Sequence, residues 1–460
     1  MKLDAAKGIL VTSICNFRLA IMLVLGYGLA SFSSAVTADE AISLQLDADT
    51  EGLRVSTTLK ADGHLHVGEG EQQKQLPIRV AGNLEFVQVR KGNAAVRKYE
   101  QAEADISVNS KTNKKRLSTT RQLIVAQPAG DEVEIFSPLG PITRGDLELL
   151  STQFDVAALG ELVPQERVDV GDTWPVGKAA AAMLLGLDSV EQSELTCKLT
   201  RATAEEAALE LVGKVEGNAL GAATKVAVDG GLTIDRRAGR ISQIDVQINE
   251  TREVGHFAPG FAIEASIRTT VTPAELPAEL STESLQNLAI ARTPSNLALD
   301  FASSSLRLGF IHDRRWRTTM HRHDLLVMRM VGGGQFIAQC NISPLPSAGE
   351  DEAVELAKFR AQVEQTIAEQ GGQVEETSKA DAENGLSVLR IAASGKANGV
   401  LLTYIYYLLT QTDGRRAAIV FTLASAQQEQ FATADHDLIG SIQFLQRTDT
   451  ARLQSEPDPK

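Results

Sequence analysis

Between His312 and Asp324 the chain gathers side chains able to do chemistry: His312, Arg314, Arg315, Trp316, Arg317, His321, Arg322 and His323. On a strand, His321 and His323 fall on one face, the spacing two imidazole ligands of a zinc-type ion would need, with His312 or Asp324 to complete the set. An exposed edge strand with a polar face accounts for the same pattern. The arginine forks suit a carboxylate or phosphate group of a partner, and Trp316 could stack on one of them. The alternative is a core tryptophan flanked by solvated charges. "HLH" at His64–His66 repeats the alternate-residue spacing.

No other pattern carries a recognised chemistry. "GLSVL" and "FASSSL" have serines without the paired glycines of a nucleophile elbow. There is no H-E-x-x-H, no C-x-x-C and no phosphate-cradling glycine loop with a lysine; "GGGQ" at 332–335 reads as a turn. The expectation is therefore a non-catalytic chain that needs no cofactor.

Composition narrows the partners. The 460 residues carry a formal net charge of −14, and 43% of them are apolar. Residues 1–38 read as an export signal: Lys2, Lys7 and Arg18 precede the short apolar run Leu19–Ala30, and Val36 and Ala38 suit a cleavage site. The run is shorter than a spanning helix requires, so no transmembrane segment is expected once it is removed. Cleavage would remove three basic residues and one acidic residue, taking the charge to −16. Such a chain is not expected to seek nucleic acid or an anionic membrane surface. Only Cys197 and Cys340 would remain, one in each half. Two separate buried thiols are the expectation, with a single disulfide between the halves as the alternative. The location expected is extracytoplasmic, secreted or periplasmic.

The elements that must position these residues follow from periodicity. From residue 39 to 275 short alternating runs separated by turn residues predict a mainly-β domain with a curved antiparallel sheet. "TRGDLELLSTQFDVAALGELVP" (143–164) has a helical period, and "GKAAAAMLLGL" reads as a short helix packed on the sheet or, less simply, lining a groove for an apolar ligand. "DRRAG" (235–239) reads as a turn. Residues 276–300, with two prolines and many small polar residues, read as a linker. A second domain, 301–446, begins with strands and continues with the clearest helix of the chain, whose stripe is Ala353, Leu356, Phe359, Val363 and Ile367. "GVLLTYIYYLLTQTDGRRAAIVFTLA" (399–424) is too short and too tyrosine-rich for a membrane span. Its Asp413-Gly414 and its apolar residues on both parities predict a buried strand hairpin. A helix and a short strand close the domain, and 447–460 form a solvated tail. The fold class expected is α+β.

In this order the second domain resembles the PsbP/Mog1-like fold, an antiparallel sheet flanked by helices. The resemblance rests on "FIHDRRW" (310–316), the helix after Asp351, the Asp413-Gly414 hairpin and the closing "FATADHDLIGSIQF". It implies a non-catalytic adaptor or small-partner binder. The first domain, with "VDVGDTWPV" (168–176), resembles curved-sheet extracytoplasmic proteins of bacterial envelopes, the lipoprotein-carrier fold among them. Together these imply an exported envelope protein that binds a protein partner through the second domain's sheet and the Arg/Trp segment. The alternative is a carrier of a hydrophobic small molecule or lipid in the first domain.

Overall fold

The computed structural model describes residues 41–46, 51–68, 74–255, 258–347, 352–381 and 385–446; the export signal and the tail expected at 447–460 lie outside them. Two compact units meet in sequence at Leu297 and Ala298. Strands dominate both, all in antiparallel sheets.

The first unit is built on long hairpins. Its strands are β1 (Leu53–Val67), β2 (Lys74–Lys91), β3 (Ala94–Val108), β4 (Lys111–Arg116), β5 (Leu123–Ala129), β6 (Glu132–Phe136), β7 (Ile142–Thr143), β8 (Thr173–Pro175), β9 (Ser189–Ser193), β10 (Thr196–Ala202), β11 (Glu206–Ala219), β12 (Ala222–Asp235), β13 (Arg240–Arg252) and β14 (Gly260–Pro273). The large sheet runs β6-β5-β3-β2-β1-β14-β13-β12-β11-β10-β8, with β4 on β3 and β9 on β11. Every strand with a near-perfect alternation buries one parity. On β1 and β14 the register stacks Val55 on Val271, Thr57 on Thr269 and Ala61 on Ala265. The other parity is charged, as in the Arg79–Asp62 and Arg268–Asp245 pairs. Two helices, α1 (Arg144–Leu150) and α2 (Lys178–Leu185), cover the apolar face. Helix α2 touches β6, at one end of the strand order, and β9, near the other. One short helix can reach both only if the sheet curls around it, as accumulated strand twist allows. Its residues Ala180–Leu185 are all buried, so the alanine-rich run is packing and not a groove.

The helical period over 143–164 yields only α1, capped by a Thr143–Asp146 box. Ser151 then turns extended, Phe154 enters the left-handed region at φ 51°, and a single 3-10 turn spans Leu159–Leu162. The apolar residues that mimicked a helix face inward as an irregular plug against the sheet: Phe154, Ala158, Leu159 and Leu162 are at most 1% exposed. Residues 276–297 are not a free spacer either. Leu280 and Leu285, on a 3-10 turn and on α3 (Thr282–Gln286), join Val87, Val89, Val96 and Leu123 in one cluster. Lys98–Glu279 and the bidentate Arg292–Glu134 pair add polar ties before α4 (Pro294–Leu297).

The second unit opens with a small sheet, β15 (Leu299–Ser303) and β16 (Leu308–His312), which is joined by the last strand. The main sheet comprises β17 (Trp316–His321), β18 (Leu326–Gly332), β19 (Gln335–Leu345), β20 (Gln373–Asp381), β21 (Leu386–Ala397), β22 (Val400–Gln411) and β23 (Arg416–Ala424), in the order β17-β18-β19-β23-β22-β21-β20. Helix α5 (Glu352–Glu369) lies over β20, β21 and β22. Its Val363 and Ile367 are buried, with Leu356 and Phe359 packed beside them, while the side chain of Ala353 lies outside the described residues. The other face packs under α6 (Gln428–Phe431) and α7 (Ala434–Ser441), which precede β24 (Gln443–Phe444). Strand β22 buries Ile405, Tyr407 and Leu409 in one cluster and Tyr404 and Leu408 in the other, the signature of a central strand covered on both faces. Its hairpin to β23 turns at Gly414, φ 84°. No helix among the described residues is long and apolar enough to cross a membrane.

Both described cysteines are free thiols buried in separate units. Burial pushes the Cys197 thiol up to about 12 and raises that of Cys340 as well. A thiolate reagent at pH 8 is therefore expected to find neither in the native protein and both after denaturation; fast native labelling of either would contradict this packing.

Candidate ligand-binding site

The cluster between His312 and Asp324 is split up by the fold. Trp316 is 1% exposed and packs on Phe421 and Phe431, with ring centroids 5.8 and 6.4 Å away. It belongs to the core and is not available to stack on a ligand. Arg315 turns back on Asp313 and on the Gln430 carbonyl, and Arg322 pairs with Asp324. Arg314 and Arg317 are engaged as well. Strand β17 ends at His321, so the alternation does not reach His323, whose side chain is 81% exposed. His321 Nε2 lies 2.8 Å from Ser303 Oγ, and buried His312 has its Nδ1 2.8 Å from the Asp313 carbonyl. Among the described residues no three His, Cys, Asp or Glu side chains gather as a metal set. His64 and His66 sit on β1 opposite Ala262 and Gly260.

The sheet of the first unit holds a different site. A cavity of about 330 Å³ lies at the rim where β1, β3 and β13 begin and β2 and β14 end. Its apolar wall includes Leu46, Leu53, Val89, Leu159, Ile241 and Val271. Glu51, Gln88, Arg90, Asn93, Glu161 and Arg240 supply the polar wall. The turn Val156–Glu161 of the plug forms one side, so the plug's position sets the cavity's shape.

What holds the plug is a buried polar spine. Arg97, 0% exposed, donates from both terminal nitrogens to Asp155, 2.8 Å for Nη1 to Oδ2, and from Nε to Gln88 Oε1 at 3.2 Å. The guanidinium also stacks 4.7 Å over Phe86. Burial works to lower the Arg97 pKa, but the Asp155 charge outweighs it and holds the group above its ordinary value. Asp155 Oδ1 further accepts from the Ala157 backbone at 2.8 Å. Next to it, Gln153 Nε2 bonds the Leu185 carbonyl at 2.9 Å, and Arg252 pairs with Glu250 beneath. Neither Arg97 nor Asp155 stands out in sequence. Glu250 and Arg252 do carry a signal: they continue the parity of Ile244, Val246 and Ile248, so the alternation itself points two charges inward.

Tyr99 is fully buried beside Arg97, and its hydroxyl makes no well-formed hydrogen bond among the described residues. Burial, helped by Asp155 and opposed by Arg97, pushes its pKa up to about 12; Tyr407 is raised by burial and by its bond to Asp435. A group whose folded pKa is raised contributes stability that is complete below the unfolded value and is lost as pH climbs through the folded one. Stability is therefore expected to fall between about pH 10 and pH 12, by about 2–3 kcal/mol for Tyr99 alone. Urea midpoints across pH 7–12 check this, and a flat profile would contradict the burial of both phenols.

No family model matches this chain, and no curated protein does. Among solved structures, one described as lipid-protein interactions in lipovitellin matches 57% of this chain at 10% identity and a TM-score of 0.31; the chain spans only 29% of that protein. The translocator domain of the autotransporter NalP from Neisseria meningitidis matches 82% of this chain and 88% of its own, at 10% identity and a TM-score of 0.13. The outer membrane protein opdK from Pseudomonas aeruginosa matches 83% and 99%, at 8% and 0.12. At these scores the correspondences assign no fold.

Proposed function

We propose that this chain is an exported, non-catalytic envelope protein whose first unit holds a small amphipathic molecule in the rim cavity. The observation that carries the reading is that cavity: about 330 Å³, walled by apolar side chains on one side and four charged ones on the other. Its volume lies at the lower end of the ~300–1,000 Å³ typical of small-molecule sites. The export signal read at residues 1–38 and the absence of any recognised catalytic motif support the location and the lack of chemistry. Native mass spectrometry of the protein, purified gently from its own host, tests it. A small-molecule mass that rides on the chain and is lost when Leu159→Trp fills the cavity is the expected result. A bare chain that also fails to enhance an amphipathic fluorescent probe would sink the reading.

A second reading, a protein-binding adaptor, draws support from the second unit. Its antiparallel sheet with helices on both faces is what a PsbP/Mog1-type domain would have. Helix α5 covers β20 to β22, but the same face of β18 and β19 shows half-exposed Val327 and Val331 beside Phe336, 42% exposed. Trp316 and its arginines no longer carry this reading. A polypeptide that copurifies stoichiometrically with the wild type and is lost with Phe336→Asp would favour it. Unchanged copurification with that variant would count against this face.

A further inference from the structure

We infer that the molecule held in the rim cavity carries a single acidic group, a carboxylate on an apolar body, received by Arg240. This rests on the cavity being a ligand site and names the ligand's class. Arg240 follows the turn closed by Gly239, at φ 59°, and its side chain is 14% exposed. A guanidinium has five donors in a fixed fork and cannot shed its charge. Here Nε is buried and has no hydrogen-bond partner among the described residues, and Asp235 Oδ2 stands 3.6 Å from Nη2, beyond good bonding distance. The other oxygen of Asp235 is taken by the backbone N–H groups of Arg237 and Ala238. The fold thus keeps an under-used guanidinium at the wall of a cavity, the arrangement that a carboxylate from outside would complete with two short charge-assisted bonds.

The rest of the wall narrows the class. Glu51 and Glu161 balance the charges of Arg90 and Arg240 on that wall, so a second negative charge on the ligand would find no surplus positive charge to receive it. This favours a monoanion over a phosphate dianion. Leu53, Val89, Leu159 and Val271 offer only dispersion and burial, so the body is apolar. The cavity's volume, about 330 Å³, lies at the small end of ligand sites and suits a short-chain amphiphile such as decanoate.

Matched ligands test the inference without needing the natural one. Decanoate, 1-decanol and decylamine are titrated against the full chain at low salt, by calorimetry or displacement of a fluorescent probe. Decanoate is expected to bind roughly 10-fold or more tighter than decanol, the difference expected of a charge-assisted pair over a neutral contact. In Arg240→Gln that preference collapses because decanoate loses far more affinity than decanol, and Arg240→Lys retains part of it. Decanol binding as tightly as decanoate to the wild type overturns the acid but leaves the carrier reading intact. Decylamine binding best overturns it too, giving the polar end to Glu51 and Glu161. A preference that survives in Arg240→Gln removes Arg240 from the role. If none of the three binds, the carrier reading itself falls and this inference with it. The wild-type comparison stands even if Arg240→Gln proves poorly folded.

Discussion

Asp155→Ala is expected to destabilise the first unit by about 3–5 kcal/mol, because it strands the Arg97 guanidinium at 0% exposure without its counter-charge. Among the described residues Arg97 would keep the Gln88 oxygen at 3.2 Å, the face of Phe86 and the neighbouring Tyr99, none of them a counter-charge to replace the water it lost on folding. The same change frees the plug. Phe154 sits at φ 51°, a conformation that costs a bulky residue about 1–3 kcal/mol and persists only where neighbours enforce it. Its enforcers are its own N–H bond to the Leu184 carbonyl at 2.8 Å and the Asp155 anchor one residue on. Urea denaturation followed by far-UV circular dichroism reads the loss. A double variant, Arg97→Met with Asp155→Leu, separates desolvation from packing: it should recover most of the lost stability, since a buried ion pair often contributes no more than apolar residues of similar volume. A loss under about 1 kcal/mol for Asp155→Ala would mean that water reaches the pair. Since Val156, Ala157 and Leu159 wall the cavity, any variant that loosens the plug should also weaken ligand binding.

The contrast between the units shows what a sequence exposes. Period-2 alternation was enough to place the meander β10–β14 and the turn at 235–239, because one covered face and one charged face leave a plain trace in the residues. The two-sided burial of β22 was equally plain in Tyr404 to Leu409. The plug was not legible: Phe154 and Leu159 continue the helical period of Leu149 and Leu150 by accident, whereas the chain leaves the helix at Ser151 and Asp155 bonds a residue 58 positions away. The segment 276–297 misled for the opposite reason. Its prolines and small polar residues suggest a spacer, and only the tertiary structure shows Leu280 and Leu285 filling a gap over β2 and β3. The cavity shares the plug's difficulty, since its wall is drawn from strands and turns between Leu46 and Val271.

Trp316→Ala is expected to cost the second unit about 3–5 kcal/mol, and it decides between the two readings that "DRRWR" permits. A tryptophan held for ligand contact would lose binding with little loss of stability. A tryptophan wedged between Phe421 and Phe431, in a cluster with Leu326, Met328 and Met330, leaves a large hole when truncated. The aromatic contacts add to the burial, since Phe421 also meets Phe431 at 5.8 Å and Tyr407 at 5.9 Å. Trp316→Phe keeps a ring in the gap and should cost less than half as much. The chain has only two tryptophans, so the variant leaves Trp174 as the single indole. Trp174 lies in the first unit, with its Nε1 donating to the Leu162 carbonyl at 3.0 Å beside the plug. Its emission in Trp316→Ala then follows the first unit alone while circular dichroism follows both. A circular-dichroism loss that precedes the Trp174 signal would locate the damage in the second unit. Coincident and unshifted curves would return Trp316 to the surface and restore the arginine segment as a binding patch.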